Sequence, residues 1–185
     1  MGADPATDAV FRDVYNATFD DVRRFCLRRL PASDVNDAVS EVYLVAWQKV
    51  DKIPRGSEAL PWLLGVARNV VRHVGRSNRR RIRLSVKAMS EPTRTGSDPE
   101  TPLIRRAEDD ELAVAISSLS GTDQEVILLR AWEDLSAPTI ATVLGCSVSA
   151  AEKRVTRAFK RLEQAVKASD RITNQSRGKT RRGRV

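Results

Sequence analysis

The sequence predicts an all-α fold of two small helical domains joined by a flexible linker. Apolar residues recur at i, i+3 and i+4 in nearly every segment, and β-branched residues do not alternate with polar ones at period two. Near the middle of the chain the pattern lapses into Ser, Thr, Gly, Asp and three prolines. We therefore expect a first domain at 1–87, a linker at 88–107, a second domain at 108–168 and a basic disordered tail at 169–185.

The composition argues against several classes of protein. Cys26 and Cys146 are far apart with no Cys or His nearby at metal-ligand spacing, so we expect no disulfide, metal or cofactor. His73 is the one histidine, and without a Gly-rich phosphate loop or a nucleophile and base pair we expect no enzyme. No apolar run approaches the ~18 residues of a membrane span, which predicts a cytoplasmic protein without membrane insertion.

Positive charge is concentrated in two patches. The formal net charge is +8, yet residues 68–87 contain eight basic side chains and no acid, and residues 167–185 contain seven basic side chains and one acid. Basic patches on an otherwise acidic chain indicate a polyanion contacted at more than one place, and nucleic acid is the commonest such partner. Solvated charge on exposed helices is the alternative.

The first domain begins with one or two helices before Pro31, followed by a helix for which Asp34 is a candidate cap. Polar residues on this helix lie largely away from its apolar stripe: Asp37, Glu41 and Gln48. Three more apolar residues widen the stripe: Tyr43, Leu44 and Trp47. The widened surface is either additional core or a docking site for a partner.

A loop at 53–60 then leads into a helix expected from near Pro61 to about Arg80. At about 100° per residue one side of this helix is apolar, and a narrow basic arc lies roughly opposite. The arc consists of Arg68, Arg72, Arg76, Arg79 and Arg83. Because these arginines are in register, contact with phosphates is favoured over simple solvation.

The second domain shows a helix-turn-helix pattern. The segment Thr122–Glu125 predicts a capping box, and Ser136 can cap a short helix. A turn at Gly145–Ser147 precedes a last helix that we expect to end near Val166. Its apolar stripe faces away from a basic face suited to the major groove, which holds Lys153, Arg157, Lys160 and Arg161. A plain helical hairpin is the alternative.

Three of these segments carry a family resemblance: Asp34–Trp47, Trp62–Asn69 and Leu135 through Ala158. They resemble three segments of the extracytoplasmic-function (group IV) sigma factors, in the same order. The first resembles the helix that binds the β′ clamp helices of core polymerase. The second resembles the helix that handles the −10 element, and the third resembles the helix-turn-helix that reads the −35 element. The resemblance implies an alternative sigma factor with a sigma2-like bundle and a sigma4-like domain. Such a protein directs bacterial RNA polymerase core to specific promoters and helps to melt the −10 element.

The resemblance also implies three sets of binding residues. Those for core polymerase are Asp37, Glu41, Leu44 and Gln48. Those for the −10 element are Arg55, Ser57, Arg68, Asn69, Arg72, Arg76, Arg79 and Arg80. Those for the −35 element are Ser149, Glu152, Lys153, Arg154, Thr156, Arg157 and Lys160. The implied partners are RNA polymerase core, through its β′ clamp helices and β flap, and promoter DNA, with an anti-sigma factor as a further candidate.

Some residues depart from the family pattern. His73 stands where an acid is usual, Gly75 interrupts a helix that is generally continuous, and Glu152 replaces a lysine or arginine. Glu152 has three interpretations: it repels phosphate, accepts a hydrogen bond from a cytosine amino group, or completes a capping box with Ser149. The competing hypothesis for the whole chain is a helix-turn-helix regulator that acts without being a polymerase subunit, which leaves the acidic helix and the arginine arc unexplained.

Overall fold

The structure, a computed structural model, describes residues 5–88 and 110–182, with side chains described over most of 5–77 and over 112–168. Within these ranges the regular elements are helical and no strand occurs, so the all-α prediction is confirmed. The chain forms two compact units. Of the expected linker at 88–107, only Ala88 lies within the described residues.

The first unit is a bundle of three helices. They are α1 (Pro5–Leu27), α2 (Ala32–Gln48) and α3 (Ala59–Ala88), with short 3-10 turns at Val50–Lys52 and Gly56–Glu58 between the last two. Each helix packs against the other two. Phe25, Val42 and Leu63, one from each helix, are fully buried at the centre of this core.

Two helix boundaries in this unit differ from those predicted. Asp34 does not cap α2, because Pro31 is already the N-cap with extended backbone at φ −55° and ψ 147°. Asp34 lies in the first turn instead, where a carboxylate interacts favourably with the helix dipole. Helix α3 continues past Arg80 to Ala88 because no proline interrupts it, and Gly75 costs a helix only about 1 kcal/mol.

Among the described residues, four α-helices follow the first bundle, and all of them except the last turn of α6 belong to the second unit. They are α4 (Asp110–Ser117), α5 (Gly121–Ile127), α6 (Ala137–Leu144) and α7 (Val148–Arg182), with a π-helical turn at Leu128–Trp132 after α5. Helices α4 and α5 both pack against α7. Ala151 and Ala158 of α7 are fully buried, and their small side chains allow the neighbouring helices to approach closely.

The caps of this unit follow the prediction in two of three places. Ser136 accepts from the backbone N–H of Thr139 at 3.4 Å, and Ser147 accepts from that of Ala150 at 3.3 Å after the turn at Gly145, where φ is +63°. The predicted capping box at Thr122–Glu125 is wrong. Helix α5 begins two residues earlier than a cap at Thr122 implies, and Ser120 is its cap.

Helix α7 is longer than the sequence predicted. It runs to Arg182, so residues 169–182 are helical where the composition predicted a disordered tail. Extending an existing helix adds one hydrogen bond for each residue that becomes ordered, whereas starting a new helix carries the nucleation cost. The polar tail therefore continues a helix whose earlier turns are fixed by packing.

Candidate protein and nucleic-acid interfaces

Helix α2 presents a narrow exposed stripe opposite its buried face. The stripe consists of Asp37, Glu41, Leu44 and Gln48, all of which are exposed. At about 100° per residue these positions fall within an arc of about 60°, and the buried Val39, Val42 and Ala46 lie on the opposite side. The seventeen residues of α2 include three acids and no base. The stripe is therefore an acidic surface with one large apolar side chain in it.

Contacts with α1 decide which apolar residues of α2 remain at the surface. Trp47 packs edge-on against Phe11 with ring centroids 5.0 Å apart, and Tyr43 packs against Tyr15 at 4.6 Å. Leu44 points elsewhere, and 56% of its surface is exposed. Of the three apolar residues that widen the stripe, Tyr43 is therefore buried in the core, Trp47 is half-buried against α1, and Leu44 is available to a partner.

A buried hydrogen bond fixes Tyr43 in this core. Thr18 donates its hydroxyl hydrogen to the carbonyl of Val14 at 2.6 Å, so it accepts from the Tyr43 hydroxyl at 2.9 Å. Burial raises the pKa of Tyr43 to about 12. This anchor fixes the rotation of α2 about its axis and so keeps the acidic stripe facing outward.

Helix α3 carries the basic arc. Asn69, Arg72 and Arg76 are exposed on α3, and Arg68 is half-buried. Arg79 and Arg80 belong to α3, but their side chains lie outside the described residues. The thirty residues of α3 include no acid, so the exposed side of this helix suits an anion.

The remaining two residues predicted for the −10 element precede α3. Arg55 and Ser57 are exposed on either side of Gly56, whose φ of +65° favours glycine. The positive φ allows the tight turn that places both side chains on the surface just before α3 begins.

Helix α7 carries the third candidate surface. Six of the seven residues predicted for the −35 element are exposed: Ser149, Glu152, Lys153, Thr156, Arg157 and Lys160. Arg154 is half-buried, about 140° around the helix from Ser149 at 100° per residue, and so lies towards the core side. Four of the exposed residues line a shallow surface groove: Glu152, Lys153, Thr156 and Arg157.

Backbone carbonyls of α7 orient two side chains along this groove. The Thr156 hydroxyl donates to the carbonyl of Glu152 at 3.0 Å, and Nε of Arg157 donates to the carbonyl of Lys153 at 3.1 Å. Ser149 lies within α7, and Ser147 is the cap, so the proposed capping box of Ser149 with Glu152 is wrong. The Glu152 carboxylate therefore extends from the exposed face without a role at the helix terminus.

Arg161 does not belong to the free basic face on which the sequence placed it. Its Nη1 atom donates to Oδ2 of Asp123 on α5 at 2.5 Å, and the Ser120 hydroxyl donates to the same oxygen at 2.7 Å. Burial opposes ionisation of Asp123, but the hydrogen bonds from Ser120 and Arg161 outweigh it and lower its pKa below the usual 3.8. Sequence analysis missed Asp123, although the Ser120–Asp123 spacing is itself a capping signal.

The side chains that the composition singled out, Cys26, Cys146 and His73, differ in their exposure. No group of His, Cys, Asp and Glu in the described ranges could hold a metal ion. Cys26 is buried, Cys146 is half-buried, and His73 is exposed. Among the helices that the structure describes, none is long and apolar enough to cross a membrane.

Two protein families match the chain in the order of its two units. Residues 14–81 match the family described as Sigma-70 region 2, and residues 109–162 match Sigma-70, region 4. The first match includes the acidic stripe of α2 and the start of the basic arc of α3. The second ends within α7, beyond the groove.

Relatives are similar over most of the chain. The ECF RNA polymerase sigma factor SigC of Mycobacterium tuberculosis is 32% identical over 148 residues, which cover 77% of this chain and 75% of SigC. The chain belongs to the extracytoplasmic-function (ECF) sigma factors. The RNA polymerase sigma factor NccH of Alcaligenes xylosoxydans, another similar protein, is 29% identical over 143 residues, covering 76% of this chain and 77% of NccH.

Solved structures of sigma factors share the fold. The sigma factor RpoE of Bartonella quintana, in complex with the anti-sigma factor NepR, superposes with a TM-score of 0.59 at 23% identity, covering 85% of this chain and 96% of RpoE. CnrH, in complex with the cytosolic domain of CnrY, has a TM-score of 0.55 at 25% identity, covering 85% of this chain and 88% of CnrH.

As an ECF sigma factor, the protein directs RNA polymerase to promoters, and its partners are RNA polymerase and promoter DNA. Sigma factors are non-catalytic initiation factors. The competing hypothesis of a regulator that acts without polymerase is not supported, because it leaves the region 2 match unexplained.

Proposed function

We propose that three separate surfaces of this sigma factor divide the work of initiation. The α2 stripe binds the β′ clamp helices of core polymerase, the α3 arc with the preceding loop holds the melted −10 element, and the α7 groove reads the −35 element. The observation that carries this assignment is the contrast in charge between the helices. Helix α2 contains acids and no base, whereas α3 contains bases and no acid.

The α2 stripe has the composition of a protein-binding surface. Leu44 lies between Glu41 and Gln48, so a large apolar side chain is surrounded by polar ones. Protein interfaces concentrate binding energy in such apolar anchors, while charges at the rim accelerate association and select the partner. An acidic rim selects a partner with basic side chains.

The α3 surface suits single-stranded DNA. Melting requires bases to be unstacked while cations hold the DNA backbone. Arg72 and Arg76 are exposed one helical turn apart on the same face of α3, where both can contact phosphates. Asn69 flanks them and carries both a donor and an acceptor for a base edge. The Arg55 and Ser57 side chains add contacts from the preceding loop.

The α7 surface suits duplex DNA. In helix-turn-helix proteins the N-terminal residues of the second helix contact base edges in the major groove. The groove on α7 occupies the first turns of that helix and combines cationic and polar side chains. Lys153, Arg157 and Lys160 contact phosphates, while Ser149, Glu152 and Thr156 face the bases.

We propose two further partners. Val114 and Phe159 are exposed apolar side chains of the second unit, and they supply a docking surface for the β flap. RpoE is in complex with the anti-sigma factor NepR, and CnrH is in complex with the cytosolic domain of CnrY. An anti-sigma factor for this protein would cover the polymerase-binding or the DNA-binding surface, and it would thereby prevent initiation.

The test is co-purification with bacterial core polymerase followed by transcription from a promoter library. Asp37→Lys combined with Glu41→Lys should abolish core binding and initiation while the helical content stays unchanged. The matched control is Asp13→Lys with Asp20→Lys, which makes the same change of charge at exposed positions of α1.

The control pair should bind core as the unmodified protein does. Equal loss in both variants would mean that net charge, rather than the α2 stripe, governs binding. If the α2 variant retains full core binding, the assignment of this stripe to the β′ clamp helices is wrong.

A further inference from the structure

We propose that Glu152 makes this sigma factor select cytosine at one position of the −35 element. The carboxylate would accept a hydrogen bond from the cytosine N4 amino group in the major groove. This inference rests on the proposed function, in which the α7 groove faces the −35 duplex.

The position of Glu152 suits contact with a base. It is the fifth residue of α7 and lines the groove with Lys153, Thr156 and Arg157. The first turns of a recognition helix are the part that enters the major groove. Lys153 and Arg157 lie to one side of Glu152, where they can hold the backbone phosphates.

The carboxylate of Glu152 has no structural task within the described residues. The helix terminus is capped by Ser147, and the Thr156 hydroxyl bonds the backbone carbonyl of Glu152 rather than its side chain. Residues three and four positions away are the neighbours that pair on a helix surface. At these positions stand Val148, Ser149, Val155 and Thr156, none of which is a cation.

The chemistry of the base edges favours cytosine. A carboxylate only accepts hydrogen bonds, and in the major groove the amino groups of cytosine and adenine are the donors. The adenine amino group lies beside N7 of the same base, an acceptor that repels a carboxylate. Cytosine has no such acceptor on its own major-groove edge, and carboxylates accordingly pair with cytosine N4.

The test compares holoenzymes on duplex libraries in which the −35 element is randomised and the −10 element is constant. The unmodified protein should prefer cytosine at one position by about tenfold to a hundredfold. Glu152→Gln should move the preference at that position to adenine, because an amide both donates to N7 and accepts from N6. Glu152→Lys should move it to guanine.

The control variant Lys153→Gln should weaken binding to all sequences by a similar factor and leave the base preference unchanged. If both Glu152 variants bind every sequence more tightly with an unaltered preference, the carboxylate acts by repelling phosphate and our inference is wrong. An unaltered preference and unaltered affinity also overturn it. If the unmodified holoenzyme ignores the −35 sequence altogether, the proposed role of α7 fails as well.

Discussion

Arg161 and Asp123, 38 residues apart in the chain, join α7 to α5, with 2.5 Å between Nη1 and Oδ2. Only 11% of the Asp123 side chain is exposed, whereas 57% of the Arg161 side chain is exposed. Ser120 caps α5 by accepting from the backbone N–H of Asp123, and its hydroxyl donates to the Asp123 carboxylate, so this carboxylate both holds the capping residue and attaches α5 to α7. The orientation of the α7 groove thus depends on a residue outside it.

Asp123→Asn should lower the free energy of unfolding of the second unit by about 1–3 kcal/mol, because it removes a charge-assisted hydrogen bond from a nearly buried site. Urea denaturation at pH 7 measures this loss. The control is Glu163→Gln, which breaks the fully exposed pair with Lys167 on the same helix. That change should leave the free energy of unfolding nearly unchanged, because water screens an exposed ion pair, and equal effects of the two variants would contradict the role of Asp123.

The same variant should change the acid sensitivity of the protein. The pKa of Asp123 is lower in the folded state than the usual 3.8, so its contribution is present above that value and is lost as the pH falls through the folded pKa. The difference in unfolding free energy between the unmodified protein and Asp123→Asn should therefore shrink below about pH 4. A difference that stays constant down to pH 2 would contradict this account.

The two cysteines should react at different rates in the folded protein. Burial raises the pKa of the Cys26 thiol to about 11, although the positive charge of Arg29 acts in the opposite direction. Alkylation requires the thiolate, so Cys26 should react slowly while the protein is folded. Cys146 is half-buried. Iodoacetamide followed by peptide mass mapping should find Cys146 modified in the native state and Cys26 only after unfolding, and equal rates would place Cys26 at the surface.

Leu44→Ala should separate binding from folding. Because more than half of Leu44 is exposed, the change should cost under about 0.5 kcal/mol in stability, while core affinity should fall roughly tenfold. Isothermal titration calorimetry with core polymerase measures the core affinity. Val10→Ala truncates another exposed apolar residue, on α1, and should leave core affinity unchanged.

Arg72→Gln and Arg76→Gln should each reduce the salt dependence of DNA binding. Every lost phosphate contact lowers the slope of log affinity against log salt by about 0.7–0.9. Holoenzyme titrations against DNA with a single-stranded −10 element, at several salt concentrations, measure the slope. Arg12→Gln and Arg23→Gln, exposed on α1, are the controls, and a reduction of the same size in them would contradict a specific role for α3.

Several features of this protein are determined by its sequence alone. The spacing of apolar and charged residues decides which side of each helix is buried, because a helix places every side chain at a known angle. The exposed stripe of α2 and the basic arc of α3 could therefore be predicted before any packing was known. So could the two-domain organisation and the caps at Ser136 and Ser147, which depend on residues close in the chain.

The tertiary structure decided what depends on residues distant in the chain. Tyr43 and Leu44 are adjacent and both apolar, and only the aromatic residues of α1 determine that the first is buried and the second is not. Arg161 lies among exposed cations in sequence, and only the packing of α5 against α7 gives it Asp123 as a partner. Side-chain periodicity carries no information about which helices meet, and so the sequence alone left these assignments open.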